Sequence, residues 1–319
     1  MTDLEEIIRQ EISAAGPIPF SRFMELALYH PALGYYRQTR DPFGIHGDFF
    51  TAEQFPVFGQ MLAIYTRHLS LALDTDASFE ILELGSGREE LSKSLHEWNY
   101  RGFDWKHGRL PEAMSGLVIA NEFFDALPVH LLRRTSTGWR ELSVNWDREQ
   151  FTFVEAEKLS AELAAHAGQY GSSVPSGGLL EVNLEAAGWL QRTGGLLRKG
   201  RMLVIDYGYS TAELARFPAG TLMAYRWHVA HTGVLNGPGT QDITAHVNFS
   251  QLREDAVNSG FGVVSECSLQ SWALSICETA EWIAFWESAG MKARLQWKQL
   301  VFGMGEIFRV LELEKAGTK

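Results

Sequence analysis

At 319 residues, the chain is long enough for one large domain or two smaller ones with a sizeable core. Its net charge of -11 argues against general nucleic-acid affinity, which needs a basic stripe, and suits a protein partner carrying a basic segment. Two cysteines argue against a self-contained zinc cluster or a disulfide framework and point to the cytoplasm; the acidic start MTDLEEIIRQEI does not read as a targeting peptide, and no apolar run is long enough for membrane insertion.

Leu4, Ile7, Ile8 and Ile12 recur at helical spacing and predict a helix over 3–15, which Gly16-Pro17 ends. Ser21 is expected to cap a second helix, SRFMELALYH, that stops at Pro31. Residues 31–54 are rich in glycine and aromatic rings and read as an ordered loop. A third helix is expected over about 57–73, with Phe58, Met61, Leu62, Tyr65 and Leu69 on one face. The central sheet is expected to begin at Phe79, with strands at 79–84, 117–121, 202–206, 261–267 and 304–312. A β-hairpin is predicted over 131–146 and a helical segment over 151–170; helices near 180–198, 250–259 and 278–298 would cover the sheet. Strands alternating with helices make this an α/β chain with a parallel or mixed sheet. The expected division is an N-terminal helical region (1–75), a Rossmann-like domain (76–134 and 181–319) and an insertion or cap (135–180).

The segment ILELGSGREEL (81–91) carries the strongest chemical signal. An apolar strand ends in Glu83; Gly85 and Gly87 let the backbone pass close to a ligand; a helix should open at Arg88–Glu90. Glu89 and Glu90 stand where a dinucleotide fold wants its third glycine, and they would repel a pyrophosphate. S-adenosylmethionine has no phosphate and carries a sulfonium cation, so it suits this turn better. In LVIANEFFDALPVH (117–130), Asn121 and Glu122 should leave a buried strand at the ligand-binding edge of the sheet. Glu122 could orient a cationic nitrogen or take its proton. The competing structural reading has Glu122 satisfying backbone donors and Asp125 capping a turn.

Two other segments are less specific. His228, His231, His246 and Asp242 are irregularly spaced, so no metal is expected there, and Asp242 with Thr244 should bracket a β-turn or a helix start. In GDFFTAEQFPVFG (47–59), Asp48 is a candidate acceptor for a cofactor hydroxyl or amine; an aromatic staple for the N-terminal helices is the even alternative. The aromatic residues of WALSICETAEWIAFWE (272–287) read as core or as an interface for a homo-oligomer.

Taken in order, ELALYHPALGYY, GDFFTAEQFPVFGQM, ILELGSGREEL, VIANEFFDALPVH, LVIDYGY, GTLMAYRWH and DITAHVNFSQL resemble the MidA family of S-adenosylmethionine-dependent methyltransferases. Relatives of that family include a mitochondrial complex I assembly arginine methyltransferase. The resemblance implies a class I methyltransferase sheet with S-adenosylmethionine as cofactor and a protein arginine nitrogen as methyl acceptor. It implies that Glu83, Gly85 and Gly87 line the cofactor with Asp48 nearby. Asn121, Glu122 and Asp125 would line the acceptor cleft, and Asp206 and Tyr207 would lie at the next strand end.

The chain departs from the family pattern twice. Glu89 replaces the last glycine of Gly-x-Gly-Arg-Gly, and only 29 residues (88–116) separate the glycine turn from the next expected strand. One β-α-β unit takes roughly 30 residues or more. The sheet is therefore expected to be truncated after its first strand. Asp104 is the candidate replacement for the acid that grips the ribose, or else an acid near the adenine. A catalytically impaired relative that serves as a protein-binding or complex-assembly factor is the alternative function.

Overall fold

The computed structural model describes residues 2–37, 52–73 and 79–317. Asp48 and its Gly-Asp-Phe segment lie outside the described residues. The chain divides into two compact units. One comprises Phe50–Phe124, Ala187–Gly208 and Leu252–Lys319; the other comprises Met1–Phe49, Asp125–Ala186 and Tyr209–Gln251.

The first of these units holds the α/β sheet. Four of its strands run parallel: β2 (Glu80–Leu84), β3 (Asn99–Phe103), β4 (Met114–Asn121) and β9 (Leu197–Tyr209). Antiparallel β15 (Phe308–Lys315) and β14 (Gly262–Ser268) extend the sheet, giving the order β14-β15-β9-β4-β2-β3. Strand β4 is apolar along its length and buried at seven of its eight positions, as a strand covered on both faces must be. Ile81, Ile119, Leu203 and Val310 join one apolar cluster with Phe58, Met61 and Leu62 of helix α3 (Pro56–Leu73). In the β4–β9 pair Gly116 opposes Gly200, both at positive φ (138° and 147°). A Cβ on Gly200 would stand 2.0 Å from the Gly116 carbonyl oxygen, so no other residue fits there. Helices α5 (Glu185–Leu196), α6 (Phe249–Asn258), α7 (Leu269–Cys277), α8 (Ala280–Ser288) and α9 (Met291–Gln299) follow in chain order.

The other unit opens with helix α1 (Asp3–Ala15), whose capping box joins Thr2 and Glu5 and whose Leu4, Ile8 and Ile12 are buried. Its main sheet has the order β1-β6-β5-β8, from β1 (Ile18–Pro19), β5 (His130–Thr135), β6 (Gly138–Asp147) and β8 (Leu179–Val182), with β7 (Gln150–Glu155) also on β6. Strands β10 (Met223–Arg226), β11 (Val229–His231) and β12 (Asp242–Thr244) form a smaller antiparallel sheet, and β13 (Val247–Asn248) leads into α6. Helices α2 (Phe20–Tyr29) and α4 (Ala161–Tyr170) belong to this unit.

Several expectations need correction. No α-helix opens at Arg88–Glu90. Glu89 adopts left-handed backbone (φ 54°), which an α-helix does not accept, and only a 3-10 turn follows at Glu90–Lys93. Ser21 is not the cap of α2, because the helix starts at Phe20 behind Pro19. The Ser21 Oγ lies instead 3.4 Å from His130 Nδ1. The helix expected over 151–170 is a strand and then a helix. Phe151 and Phe153 alternate on β7 to meet Phe23 and Phe20, and Ser160 caps α4. The helix near 180–198 is likewise preceded by β8, and it starts where Asn183 Oδ1 accepts from the Ala186 amide. Asp242 and Thr244 lie in strand β12, not in a turn. Residues 278–298 form two helices broken at Ala289-Gly290, and a π-helical turn at Leu300–Met304 delays the last strand to Phe308.

Candidate cofactor and acceptor site

The parallel register decides which residues meet. Leu84 pairs with Phe103 and with Ala120, and Asn121 pairs with Ile205. The carboxyl ends of β2, β3, β4 and β9 therefore lie side by side, carrying Gly85, Asp104, Asn121-Glu122 and Asp206. Ligands of open α/β sheets bind at this edge.

The glycine turn is tied to the neighbouring strand. The amides of Gly85 and Ser86 both donate to the Phe103 carbonyl, at 2.8 and 3.1 Å. Gly85 and Gly87 have φ of 73° and 48°. A Cβ on Gly85 would come within 3.0 Å of the Phe123 ring. Phe123 in turn meets Trp189 edge-on at 5.0 Å, and Phe103 and Trp105 contact the same indole. Asp104 follows β3, the strand beside β2. Its Oδ1 accepts from the Lys106 amide at 2.9 Å in a tight turn closed by His107.

Glu83 is fully buried beneath this turn. Tyr100 Oη donates to its Oε2. A second, half-buried carboxylate, Glu53, approaches from the turn Ala52–Gln54 ahead of α3, within hydrogen-bonding reach of Glu83. Asn121 Nδ2 donates to Glu53 Oε1 at 2.9 Å. Burial raises both acids far above the usual carboxylate range; for Glu53 the charge of Glu83 adds to it. The hydrogen bond from Tyr100 pulls Glu83 partly back, leaving it at about 8. Burial, then the neighbouring Glu83 charge, also holds the Tyr100 phenol well above its ordinary value.

Glu122 stands at the end of β4 in left-handed backbone, φ 48°. Its amide donates to the Ile205 carbonyl at 2.9 Å, and its Oε1 accepts from the Ala52 amide at 3.4 Å. A non-glycine residue held in this region costs roughly 1–2 kcal/mol and is concentrated at ligand sites. Asp206, fully buried, accepts from the Phe124 amide at 3.0 Å and fixes the turn that follows Glu122.

Among the described residues, three buried polar atoms at this edge take no hydrogen bond: Glu83 Oε1, Ser86 Oγ and Asn121 Oδ1. Buried polar atoms are rarely left so, and an acid, a hydroxyl and an amide oxygen beside bare glycine backbone match the ammonium and hydroxyl groups of S-adenosylmethionine. Glu89 also fits. Its carboxylate is turned back over Gly102 of β3 and lies 3.6 Å from His107 Nε2.

Residues 61–265 match the family described as "Putative S-adenosyl-L-methionine-dependent methyltransferase". The chain belongs to this methyltransferase family. It is 26% identical over 312 residues to the protein arginine methyltransferase NDUFAF7 of Danio rerio, covering 78% of this chain and 71% of that protein. The Homo sapiens NDUFAF7 is 28% identical over 319 residues, covering 80% and 69%. A Burkholderia thailandensis structure bound to S-adenosyl-homocysteine superposes with a TM-score of 0.86 at 28% identity, covering 98% of this chain and 91% of that one. The methyltransferase is an enzyme with the class I fold, and S-adenosylmethionine is its cofactor.

Of the residues singled out by sequence, Glu83, Gly85, Gly87, Asp104, Asn121 and Glu122 share one sheet edge. Asp125 belongs to the other unit, where it is buried and its carbonyl accepts from the Ala245 amide at 3.0 Å. Asp242 accepts there from Tyr36 Oη at 2.7 Å. Sequence reasoning missed Glu53, Tyr100 and Ser86. An acid at the start of a helix reads as a complement to the helix dipole, and nothing local marks it as buried. The only available signal was its place inside the Gly-Asp-Phe segment.

Proposed function

We propose that this methyltransferase transfers the methyl group of S-adenosylmethionine to an arginine nitrogen of a protein, with Glu122 orienting the guanidinium. The observation carrying this reading is the left-handed Glu122 at the ligand edge of the sheet, one strand from the glycine turn. The names of the curated relatives support it, and so does the acidic surface, which suits a basic acceptor segment. A carboxylate holds a guanidinium through paired charge-assisted hydrogen bonds and can accept the proton released as the nitrogen is methylated. Glu83 and Ser86 hold the cofactor against the bare Gly85–Gly87 backbone, and Asp104 offers an acceptor at the end of β3. The bound cofactor supplies the electrophilic methyl group. Asn121 and Asp206 keep the Glu122 turn in place through Glu53 and Phe124. Rate enhancement then comes from positioning and fixed electrostatics. The two free cysteines, Cys267 and Cys277, fit a reducing compartment such as the cytoplasm.

The test is transfer of tritiated methyl groups into a cell extract, followed by hydrolysis and amino-acid analysis. Label is expected in methylated arginine and is expected to vanish in Glu122→Gln, while S-adenosyl-homocysteine still binds. Label confined to methylated lysine or to small molecules would overturn the proposal.

A further inference from the structure

In the reading above Glu53 only anchors Asn121 and touches neither cofactor nor acceptor, yet its surroundings are unusual for an acid. It lies half-buried against a fully buried acid, Glu83, and the two come from different elements, the turn before α3 and strand β2. The groups facing them are Tyr100 from β3, Asn121 from β4, and Glu89 and Glu90 from the segment after the glycine turn. Beyond that circle, Lys93 pairs with Glu90 and His107 lies 3.6 Å from Glu89. Each charge felt by the pair from this circle is another carboxylate: Glu90 acts on Glu53 and Glu89 on Glu83. Two adjoining carboxyl groups in a desolvated site cannot both ionise, and one keeps a proton. The same edge carries unpartnered Ser86 Oγ and Asn121 Oδ1, both on side chains more than nine-tenths buried.

We propose that Glu53 is a cofactor-binding residue, and that the Glu53–Glu83 pair gives up its shared proton in exchange for the cofactor's α-ammonium group. This rests on the S-adenosylmethionine site described above. One carboxyl O–H bond breaks and its proton leaves to solvent. The ammonium keeps its three protons, and the pair goes from one negative charge to two beside one positive charge. The net charge of the buried site is unchanged, so the exchange avoids stranding an uncompensated charge. S-Adenosyl-homocysteine carries the same ammonium without the sulfonium, so it isolates this effect.

The experiment is calorimetric titration of the full chain with S-adenosyl-homocysteine near neutral pH, in phosphate and in Tris, whose ionisation enthalpies differ. Release of about one proton is expected, together with affinity that rises about tenfold per pH unit until the pair has titrated. In Glu53→Gln the release should fall towards zero and the pH slope should flatten, because one acid alone ionises more readily. Binding with heat independent of the buffer would overturn the exchange while leaving the cofactor site intact; so would Glu53→Gln with an unchanged slope. No binding of S-adenosyl-homocysteine at any pH would overturn the cofactor reading itself, and the exchange with it. The wild-type measurement decides the matter even where the variant does not fold.

Discussion

Replacing Glu122 with glycine separates catalytic need from structural need at one position. Glu122 sits at φ 48°, where a side chain costs roughly 1–2 kcal/mol and glycine costs nothing. Against that relief, glycine makes the unfolded chain more flexible, a loss of roughly 0.5–1 kcal/mol. The lost hydrogen bond to the Ala52 amide is long, 3.4 Å, and contributes less than about 1 kcal/mol. The amide bond to Ile205 belongs to the backbone and survives. The contributions nearly cancel, so Glu122→Gly should leave stability within about 1 kcal/mol of the wild type, or a few degrees in Tm. Glu122→Ala keeps the strain and should be less stable than Glu122→Gly by about 1 kcal/mol. Both should lose methyl transfer. Scanning calorimetry and the tritium assay read the two effects separately. The reasoning fails if Glu122→Gly unfolds by more than about 3 kcal/mol, or if it transfers methyl groups at the wild-type rate.

Three further outcomes follow from the same geometry. Gly200→Ala would drive a Cβ into the Gly116 carbonyl between two central strands and should destabilise the protein by more than about 3 kcal/mol; a native melting curve would show that β4 and β9 are not this close. The raised carboxyl of Glu83 means that the folded chain binds more protons than the unfolded chain above the ordinary carboxylate range. That contribution is fully present below the unfolded pKa and is lost as pH rises to about 8, so urea midpoints of the cofactor-free chain should fall from about pH 5 to about pH 8 and level off above it. Glu83→Gln should flatten the fall, leaving the parts due to Glu53 and Glu181, which burial shifts in the same direction. Glu89→Gly relieves a left-handed residue and removes a charge that raises Glu83; calorimetry at pH 7 should show tighter S-adenosyl-homocysteine binding, whereas weaker binding would mean that Glu89 touches the cofactor.

The centre of the sheet was legible in the sequence because its strands carry apolar runs such as LVIA and MLVI. MSGLVIAN and RMLVIDYGY have no helical period, and a strand covered on both faces needs none. Glu83, Gly85, Gly87, Asn121 and Glu122 follow from strand ends and glycine pairs, which are local signals. The errors fell where the outcome depends on tertiary partners. QFTFVE reads as the start of a helix until Phe20 and Phe23 are known to face Phe153 and Phe151. REELSK has good helix formers, yet Glu89 turns left-handed and the stretch tightens to a 3-10 turn. Glu53 and Tyr100 carry no local mark, because their places depend on distant partners: Tyr100 pairs with Ile81, which brings its phenol beside Glu83, and Glu53 meets Asn121 of β4.

Register also explains how a shortened scaffold can keep a cofactor edge. Fourteen residues (85–98) must carry the chain from the end of β2 back to the start of β3. A full helix does not fit once the turn itself has been made, so the helix that would brace the glycine turn is absent. The turn is braced instead by the strand it leads to: Phe103 accepts from both Gly85 and Ser86, and Glu89 folds over Gly102. This works only because position 102 is glycine, since a Cβ there would meet the Glu89 carboxylate at 2.5 Å and Ser86 Oγ at 2.6 Å. The departure at Glu89 and the glycine at 102 are thus one structural arrangement.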